Sequence, residues 1–514
     1  MKKIASTLIA LCICCTATYG QEKFKFGTCP VELLQQTSYE LDADAAAYVV
    51  YEQKEVYYTY SPKLNDFEIV TDYAVRVKIL TQEGVDKYGN ASIVFYKGIS
   101  SFQSESITNL IGYTYNLEND KVVREKLEKN YIFVEDVSKN IKRQKFAFPA
   151  VKIGSVVEYK YRHSSPHIYN LADFEFQWSI PVQYGEFMLR VPQYFTFNRE
   201  TTGYETPDVK TEKINESIML NDGTLYFTAE EIRATVRNFP ALKSEPYLWN
   251  VRDFASKMTF DIKSIQIPGS YYKNFSNKWS DVVDKLMDAD DFGKEFGNKF
   301  TLKTELPAAL EGKENTLDSI RAVLNLVRSR VKFNDRSTMW VEDDSRALRD
   351  GVGSSAEINC ILLNALKNAG FTAYPVAMSL RSRGRIPLTH PSVNCFNYFI
   401  VSVYHGGKIY YLDGTKPYTD INVIPVDCLV DRAMIIHNPS FEWVDLTATG
   451  NNLNRINMLL SFDSVGVLTG QIREVYQGEM AYQFKSNYNN SENEEKYIES
   501  TESRKAIEMS DYQL

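Results

Sequence analysis

From about residue 45 to residue 235, apolar and polar positions alternate with a period of two. The stretches AAYVVYEQKEVYYTY, FEIVTDYAVRVKIL, SIVFYKG, KNYIFVEDV, KFAFPAV and SVVEYKYRH set Val, Ile, Tyr and Phe against polar neighbours, and EFQWSI, FMLRVP and TLYFTA continue the pattern. Turn-forming stretches such as SPKLNDF, LENDK and LNDGT separate these runs. A sheet with one buried and one wet face produces such alternation. The reading is a large antiparallel β-sandwich over residues 21–245, ending near the proline-bearing stretch NFPALKSEPYLWN.

From about residue 275 the period changes. Trp279, Val282, Val283 and Leu286 fit a short helix, and Leu317, Ile320, Val323, Leu324 and Val327 fit a second. A third helix is expected from about Ser355 to Ala369, with Ile358, Leu362, Ala365, Leu366 and Ala369 in one stripe. The strand-like runs TAYPVAMSL, NYFIVSVYH and KIYYLDGT follow, so residues 246–445 read as an α+β domain. Alternation returns in LNRINMLLSFDSVGVLTGQIREVYQG, followed by the charged, helical SENEEKYIESTESRKAIE. Residues 446–514 therefore read as the start of a C-terminal β domain, incomplete because one hairpin and a helix make a thin domain.

Composition agrees with this division. A chain of 514 residues is expected to hold about three domains. The 34 Tyr and 28 Phe against only 25 Gly and 17 Pro suit extended sheets. A net charge of -8 removes any overall attraction to phosphate backbones, so nucleic acid is not an expected partner. Residues 1–20 carry Lys2 and Lys3, then an apolar run from Ile4 to Cys15 and small residues at Thr18 and Gly20. This is the pattern of a signal peptide and predicts export to the periplasm or cell envelope. Lipid attachment would need a small residue before the modified cysteine, and Leu11 and Cys14 precede Cys12 and Cys15. No later stretch is long and apolar enough for a transmembrane helix. Beyond the leader, Cys29, Cys360, Cys395 and Cys428 remain, with no CxxC spacing. They read as buried thiols, with a Cys360–Cys395 bridge as the alternative in an oxidising compartment.

Motifs for cofactors and metals are weak. Gly351-Val-Gly353-Ser-Ser-Ala356 fits a loose dinucleotide fingerprint, but DDSRALRD before it is not a strand. His163 and His167 share an HSSPH turn and could touch one metal, although a solvated loop is the simpler reading. Only 5 histidines exist, which leaves little for imidazole catalysis. No cofactor and no metal are expected.

The glycine turn, the third helix and the strands after it carry the most information. DGVGSSAEINCILLNALKNAGFTAYPVAMSLRSRGRI…FNYFIVSVYHGGKIYYLDGT resembles the core of the transglutaminase-like superfamily, which has a papain-like fold. The stretch RVKILTQEGVDKYG…FAFPAVKIGSVVEYKYRHSSPHIYNLADFEFQWSIPV is similar to the β domain of unknown function (DUF3857-like) that precedes such domains in Bacteroidetes. The tail resembles the start of the β domain that follows. The resemblance implies a nucleophilic cysteine at the start of the buried helix, a histidine on the next strand and an aspartate on the one after. Those positions are Ser355, Tyr398 and Asp413 in this chain.

Only the aspartate matches. A thiolate at a helix N-terminus is stabilised by the amide dipoles and a neighbouring imidazolium. A serine hydroxyl instead needs a base, and a tyrosine already holds its proton at neutral pH. The residues read more simply as structure. Ser354 and Glu357 form a capping box, Tyr398 fills the imidazole's space and bonds Asp413, and Asp413 closes the turn before Gly414. Cys360 lies five positions past Ser355, rotated by roughly 140° around the helix. Cys395 precedes FNY and lacks a histidine unless His390 folds back. Trp340 with Arg381, Arg383 and Arg385 is a candidate ligand-binding set, the arginines as a cationic clamp for a carboxylate or an anionic glycan; a solvated loop is the alternative. The expectation is an exported protein that binds or scaffolds at the cell envelope, with a peptide, a protein or an envelope glycan as partner. The competing readings are a cysteine peptidase or transglutaminase-type acyl-transfer enzyme, and a pseudo-enzyme assisting an active homologue.

Overall fold

The computed structural model describes residues 24–514 apart from 99, 101, 139, 222, 268–270, 276–277, 298–301, 314–315 and 389–390. The leader over residues 1–20 and His390 lie outside the described residues. The chain forms two compact units. Residues up to 195, 199–243 and 256–260 make the first; residues 196–198, 244–255 and 261–514 make the second.

In the first unit, helix α1 (Val31–Gln35) precedes strands β1 (Ala47–Ser61) and β2 (Asp66–Ile79), and helix α2 (Gln82–Tyr88) leads into β3 (Asn90–Tyr96). Then come β4 (Ser106–Glu118), β5 (Lys121–Lys126), β6 (Ile132–Ser138), β7 (Ile141–Ala147), β8 (Val156–Ser165), β9 (Phe174–Glu175), β10 (Val182–Pro192), β11 (Phe195–Thr202), β12 (Asp208–Leu220) and β13 (Gly223–Phe239). Eight of these form one sheet in the order β12-β13-β10-β1-β2-β8-β4-β5. The sequence predicts an antiparallel sandwich, and the structure corrects this at the centre. Strands β1 and β10 pair in parallel, Val49 beside Val182 through Tyr57 beside Arg190. Period-two alternation is the same for either strand direction, so it carries no signal of the parallel pair.

The large sheet has one apolar and one charged face. On the apolar face Tyr58 stacks on Phe195 at 4.3 Å, and Phe187 meets Phe174 and Phe176 at 5.6 and 4.9 Å. Strand β9 there pairs with the start of β14 (Lys257–Ile267). Farther along, Phe146 of the three-stranded sheet β3-β7-β6 packs on Tyr159 at 5.2 Å. One large sheet under small ones thus replaces two matched sheets. The other face pairs its charges. Arg162 grips Asp72 with two bonds of 2.7 Å, and Arg190 reaches Glu55, Glu216 and Glu231. Arg76 and Glu158 form a buried pair at 2.6 Å. The segment from Phe24 to Thr28 closes over it. Arg76 donates to the carbonyls of Lys25 and Thr28, the Phe24 ring lies 4.6 Å from its guanidinium, and Gly27 N donates to Glu158 Oε1 at 2.7 Å.

In the second unit β14 continues to pair with β15 (Tyr271–Asn274). Helices α3 (Trp279–Asp288), α4 (Glu305–Leu310) and α5 (Leu317–Arg330), strand β16 (Lys332–Phe333), helix α6 (Asp344–Asp350), strand β17 (Val352–Gly353) and helix α7 (Ser355–Asn368) follow. Strands β18 (Thr372–Met378), β19 (Tyr398–His405), β20 (Lys408–Leu412), β21 (Ala433–Ile436) and β22 (Phe441–Val444) form an antiparallel sheet in the order β20-β19-β18-β21-β22. Apolar side chains surround α7, so the helix is buried from Ser355 to Leu366. Its Ile358, Ile361, Leu362 and Leu366 share one core with Ile320, Val323, Leu324 and Val327 of α5 and with Val401 and Val403 of β19.

The tail is a hairpin, β23 (Leu453–Phe462) and β24 (Leu468–Gln477), then helices α8 (Glu479–Asn490) and α9 (Glu494–Lys505), all within the second unit. Sequence periodicity missed α8, whose Tyr- and Asn-rich run has weak helix propensity. One hairpin face carries Ile456, Met458, Leu460, Phe462, Leu468 and Ile472, each between 42% and 73% exposed. Among the described residues no helix is long and apolar enough to cross a membrane.

The Arg76–Glu158 pair yields a stability test. Arg76→Ala strands a buried carboxylate, which costs on the order of 3–5 kcal/mol. Calorimetry should show a lower-melting transition for the variant, with faster hydrogen exchange over residues 24–28. An unchanged transition would mean the pair adds nothing to the fold.

Candidate functional site

The start of α7 is built from local signals. Gly351, at φ 71°, ends α6 in the left-handed conformation that glycine adopts without strain. Three residues later the capping box forms. Ser354 N donates to Glu357 Oε2 at 2.7 Å, and Glu357 N to Ser354 Oγ at 3.4 Å. Glu357 Oε1 also accepts from Asp343 N at 3.2 Å. The Gly351–Ala356 stretch is therefore a helix stop and a helix start.

Ser355, where the resemblance puts a nucleophile, is fully buried. Its Oγ donates to the Thr338 carbonyl at 2.8 Å and accepts from Thr338 N at 2.9 Å, while its own N donates to the Arg336 carbonyl at 3.1 Å. The hydroxyl is saturated by its own chain. Tyr398 opens β19, and its hydroxyl donates to Asp413 Oδ2 at 2.8 Å. Asp413 Oδ1 accepts from Thr415 N at 2.7 Å and from the Thr415 hydroxyl. Burial, then the negative charge of Asp413, raises the Tyr398 phenol well above its ordinary range. The phenol keeps its proton, directed at the carboxylate, and a protonated phenol is not a base at neutral pH.

Asn359, one turn beyond Ser355, ties these pieces together. Its Nδ2 donates to the Phe399 carbonyl at 2.9 Å, and its Oδ1 accepts from Gly414 N at 2.9 Å. A Cβ on Gly414 would stand 2.7 Å from Ile358 Cγ2, so the helix approaches this turn as only glycine allows. Sequence reading missed Asn359. Its signal was one polar residue inside an apolar helix, next to the position marked for chemistry.

The candidate binding residues are Trp340 and the three arginines of the loop before β19. Trp340 is half-buried in the cluster of Val282, Phe292 and Phe399, whereas Tyr398 belongs to that of Val376, Ile400 and Ile435. Arg381 donates to the Leu429 carbonyl and Arg383 to those of Phe396 and Asn394. Arg385 pairs with Asp431 at 3.3 Å. The guanidinium groups of Arg381 and Arg385 both lie on the Trp249 ring, 4.5 and 4.8 Å from its centre. Each arginine makes at least one bond to the protein while Arg383 and Arg385 stay exposed, and Trp249 is too distant in sequence to have been expected beneath Arg381 and Arg385.

The four later cysteines are free thiols, so the Cys360–Cys395 bridge is not formed. Cys360 is buried, with Sγ 3.6 Å from Asn364 Nδ2. Burial pushes the Cys29 and Cys395 thiols up to about 11 and that of Cys428 well above its ordinary value. A nucleophilic cysteine needs the opposite shift. His163 stands 3.3 Å from Glu105, and His167 Nε2 lies 3.1 Å from the Gln103 carbonyl. Among the described residues no three His, Cys, Asp or Glu side chains converge to hold a metal ion.

Comparison with known proteins adds the following. Residues 65–221 match a family described as "Domain of Unknown Function with solved-structure structure (DUF3857)". That segment lies in the first unit and agrees with the resemblance read from its sequence. No curated protein matches the chain. A crystal structure from Parabacteroides distasonis, described as a "putative protease", aligns with a TM-score of 0.53 at 14% identity, covering 78% of this chain and 72% of that one. This likeness concerns the fold alone. A "putative cysteine protease" from Cytophaga hutchinsonii aligns at 13% identity over 59% of this chain and 85% of that one, with a TM-score of 0.20. A structure described as a TGase aligns at 10% identity over 46% and 52%, with a TM-score of 0.17. The last two scores are too low to carry an argument.

The clamp predicts a ranking of stabilities. Asn359→Ala removes two buried hydrogen bonds and should cost about 2–4 kcal/mol. Tyr398→Phe removes one bond while Thr415 still serves Asp413, and should cost about 1–2 kcal/mol. Equal losses in denaturant titrations would show that Asn359 is not the tie described.

Proposed function

We propose that this chain is an exported, non-catalytic transglutaminase-like protein that binds or scaffolds at the cell envelope. The observation that carries the reading is the Tyr398 hydroxyl donating its proton to Asp413 where an imidazole would be required. The saturated Ser355 hydroxyl and the raised thiol values support it. Among the described residues at this site no pair of groups combines an activated nucleophile with a base. Arg381, Arg383 and Arg385 act in this reading as ties that hold their loop, and an exposed part of the protein recognises a peptide, a protein or a glycan.

Thiol reactivity tests the proposal. A thiol raised from 9 to about 11 carries ~100-fold less thiolate at neutral pH. Iodoacetamide should therefore modify Cys395 in the folded protein far more slowly than it modifies a free thiol, and peptide and ester substrates should remain uncleaved. Fast labelling of Cys395, with hydrolysis lost in Cys395→Ala, would establish an enzyme instead. In the double variant Ser355→Cys with Tyr398→His, a measured amidase activity would show that the inherited geometry persists beneath the lost chemistry.

A further inference from the structure

In the first unit one short segment lies on the large sheet in the manner of a bound peptide. Tyr51, Arg76, Glu158 and Tyr113 stand in one row across β1, β2, β8 and β4. Residues 24–28 cross that row without pairing as a strand. Side chains of the sheet, rather than a ladder, hold the backbone of the segment. Gly27 N donates to Glu158 Oε1 at 2.7 Å, and the Gly27 carbonyl accepts from Arg124 Nη1 at 2.9 Å. The carbonyls of Lys25 and Thr28 both accept from Arg76. Arg76 and Glu158 pair with each other, and the Tyr115 hydroxyl also donates to Glu158, so this row is balanced in charge. Gly27 turns through φ 89°, a conformation that other residues adopt only with strain.

Two rings anchor the segment. Phe24 stacks on Tyr51 with centroids 4.1 Å apart and 9° between the planes, and the Arg76 guanidinium lies 4.6 Å from the Phe24 ring. Phe26 lies 5.8 Å from Tyr113, and Lys160 Nζ stands 4.7 Å from the Phe26 ring. Each phenyl ring thus has one aromatic and one cationic neighbour. Lys25, between them, is exposed. The same arrangement continues past the segment: Tyr184 stacks on Tyr51 at 5.5 Å, and the exposed Arg237 lies 4.9 Å from the Tyr184 ring.

We propose that this row recognises an extended peptide with two aromatic residues one apart and a glycine directly after the second, and that residues 24–28 occupy it in cis. Capture of backbone groups by fixed side chains accepts any chain in this conformation, and the two ring slots select aromatic residues at alternate positions. Tethering gives the cis segment a high effective concentration, so it excludes a separate peptide until it is displaced. The proposal stands whatever the state of Ser355, Tyr398 or Asp413.

Anisotropy of a fluorescent Phe-Lys-Phe-Gly-Thr peptide, and of its Ser-Lys-Ser-Gly-Thr twin, tests this on the full chain and on Gly27→Pro. Proline has no N–H and cannot take a positive φ, so the variant frees the segment, read as faster hydrogen exchange over residues 24–28. The aromatic peptide should then bind saturably, at least about tenfold more tightly than to the unaltered chain, and the serine twin should not bind. Adding Tyr51→Ala should weaken that binding several-fold. Should Gly27→Pro fold poorly, Phe24→Ala with Phe26→Ala frees the same slots and should give the same result. A segment that stays protected in both variants is part of the fold and overturns the proposal. So do equal binding of the serine twin, no saturable binding to a freed variant, or full affinity in the unaltered chain. Dimers formed by exchange of the segment between two copies would make a second copy the occupant and overturn the reading of a separate peptide.

Discussion

Helix α7 has no wet face through its first twelve residues, so water cannot satisfy its polar groups there. Each must find a protein partner, and the second unit is arranged around meeting that demand. Ser354 and Glu357 satisfy each other's backbone, and Ser355 binds the strand of chain at Thr338. Asn359 joins the helix to β19 and to the turn at Gly414. Asn364 binds the Glu295 carbonyl and Gly297 N at 3.0 and 2.9 Å. These bonds fix the helix along its axis and in rotation.

The first unit meets a related demand differently. Its sheet buries aromatic rings on one face and carries charge on the other, and most of those charges are paired across neighbouring strands. Arg76 and Glu158 are too deep to be left to solvent, so the N-terminal segment covers them with carbonyls and an aromatic ring. Glu52 departs from this pattern, because its two direct donors are neutral.

What could be read from the sequence was local or inherited. The capping box at Ser354 and Glu357 spans four residues, and helix starts are determined at that range. The Tyr398–Asp413 contact follows from two neighbouring strands in a known order. Other features needed distance. Trp249 meets Arg381 and Arg385 across more than a hundred residues of chain, and no periodicity marks such a pair. Asn359 was visible as an odd polar residue, but its two partners come from separate strands and turns. The parallel pairing of β1 and β10 was hidden because alternation reports which face is buried and not which way the neighbour runs.

That parallel pair bears on how the chain acquires its shape during synthesis. Strands β1, β2, β8, β4 and β5 are all made before β10, and they can assemble into a five-stranded half-sheet as the chain emerges. The free edge of that half is β1, a strand destined for the middle of the sheet. Until β10 and β13 arrive to cover it, the nascent protein presents an open hydrogen-bonding edge fifteen residues long. Long-range closure of this kind is slow, and exposed strand edges favour mispairing with other chains. The central seam of the finished sheet is thus the place where its assembly is most vulnerable.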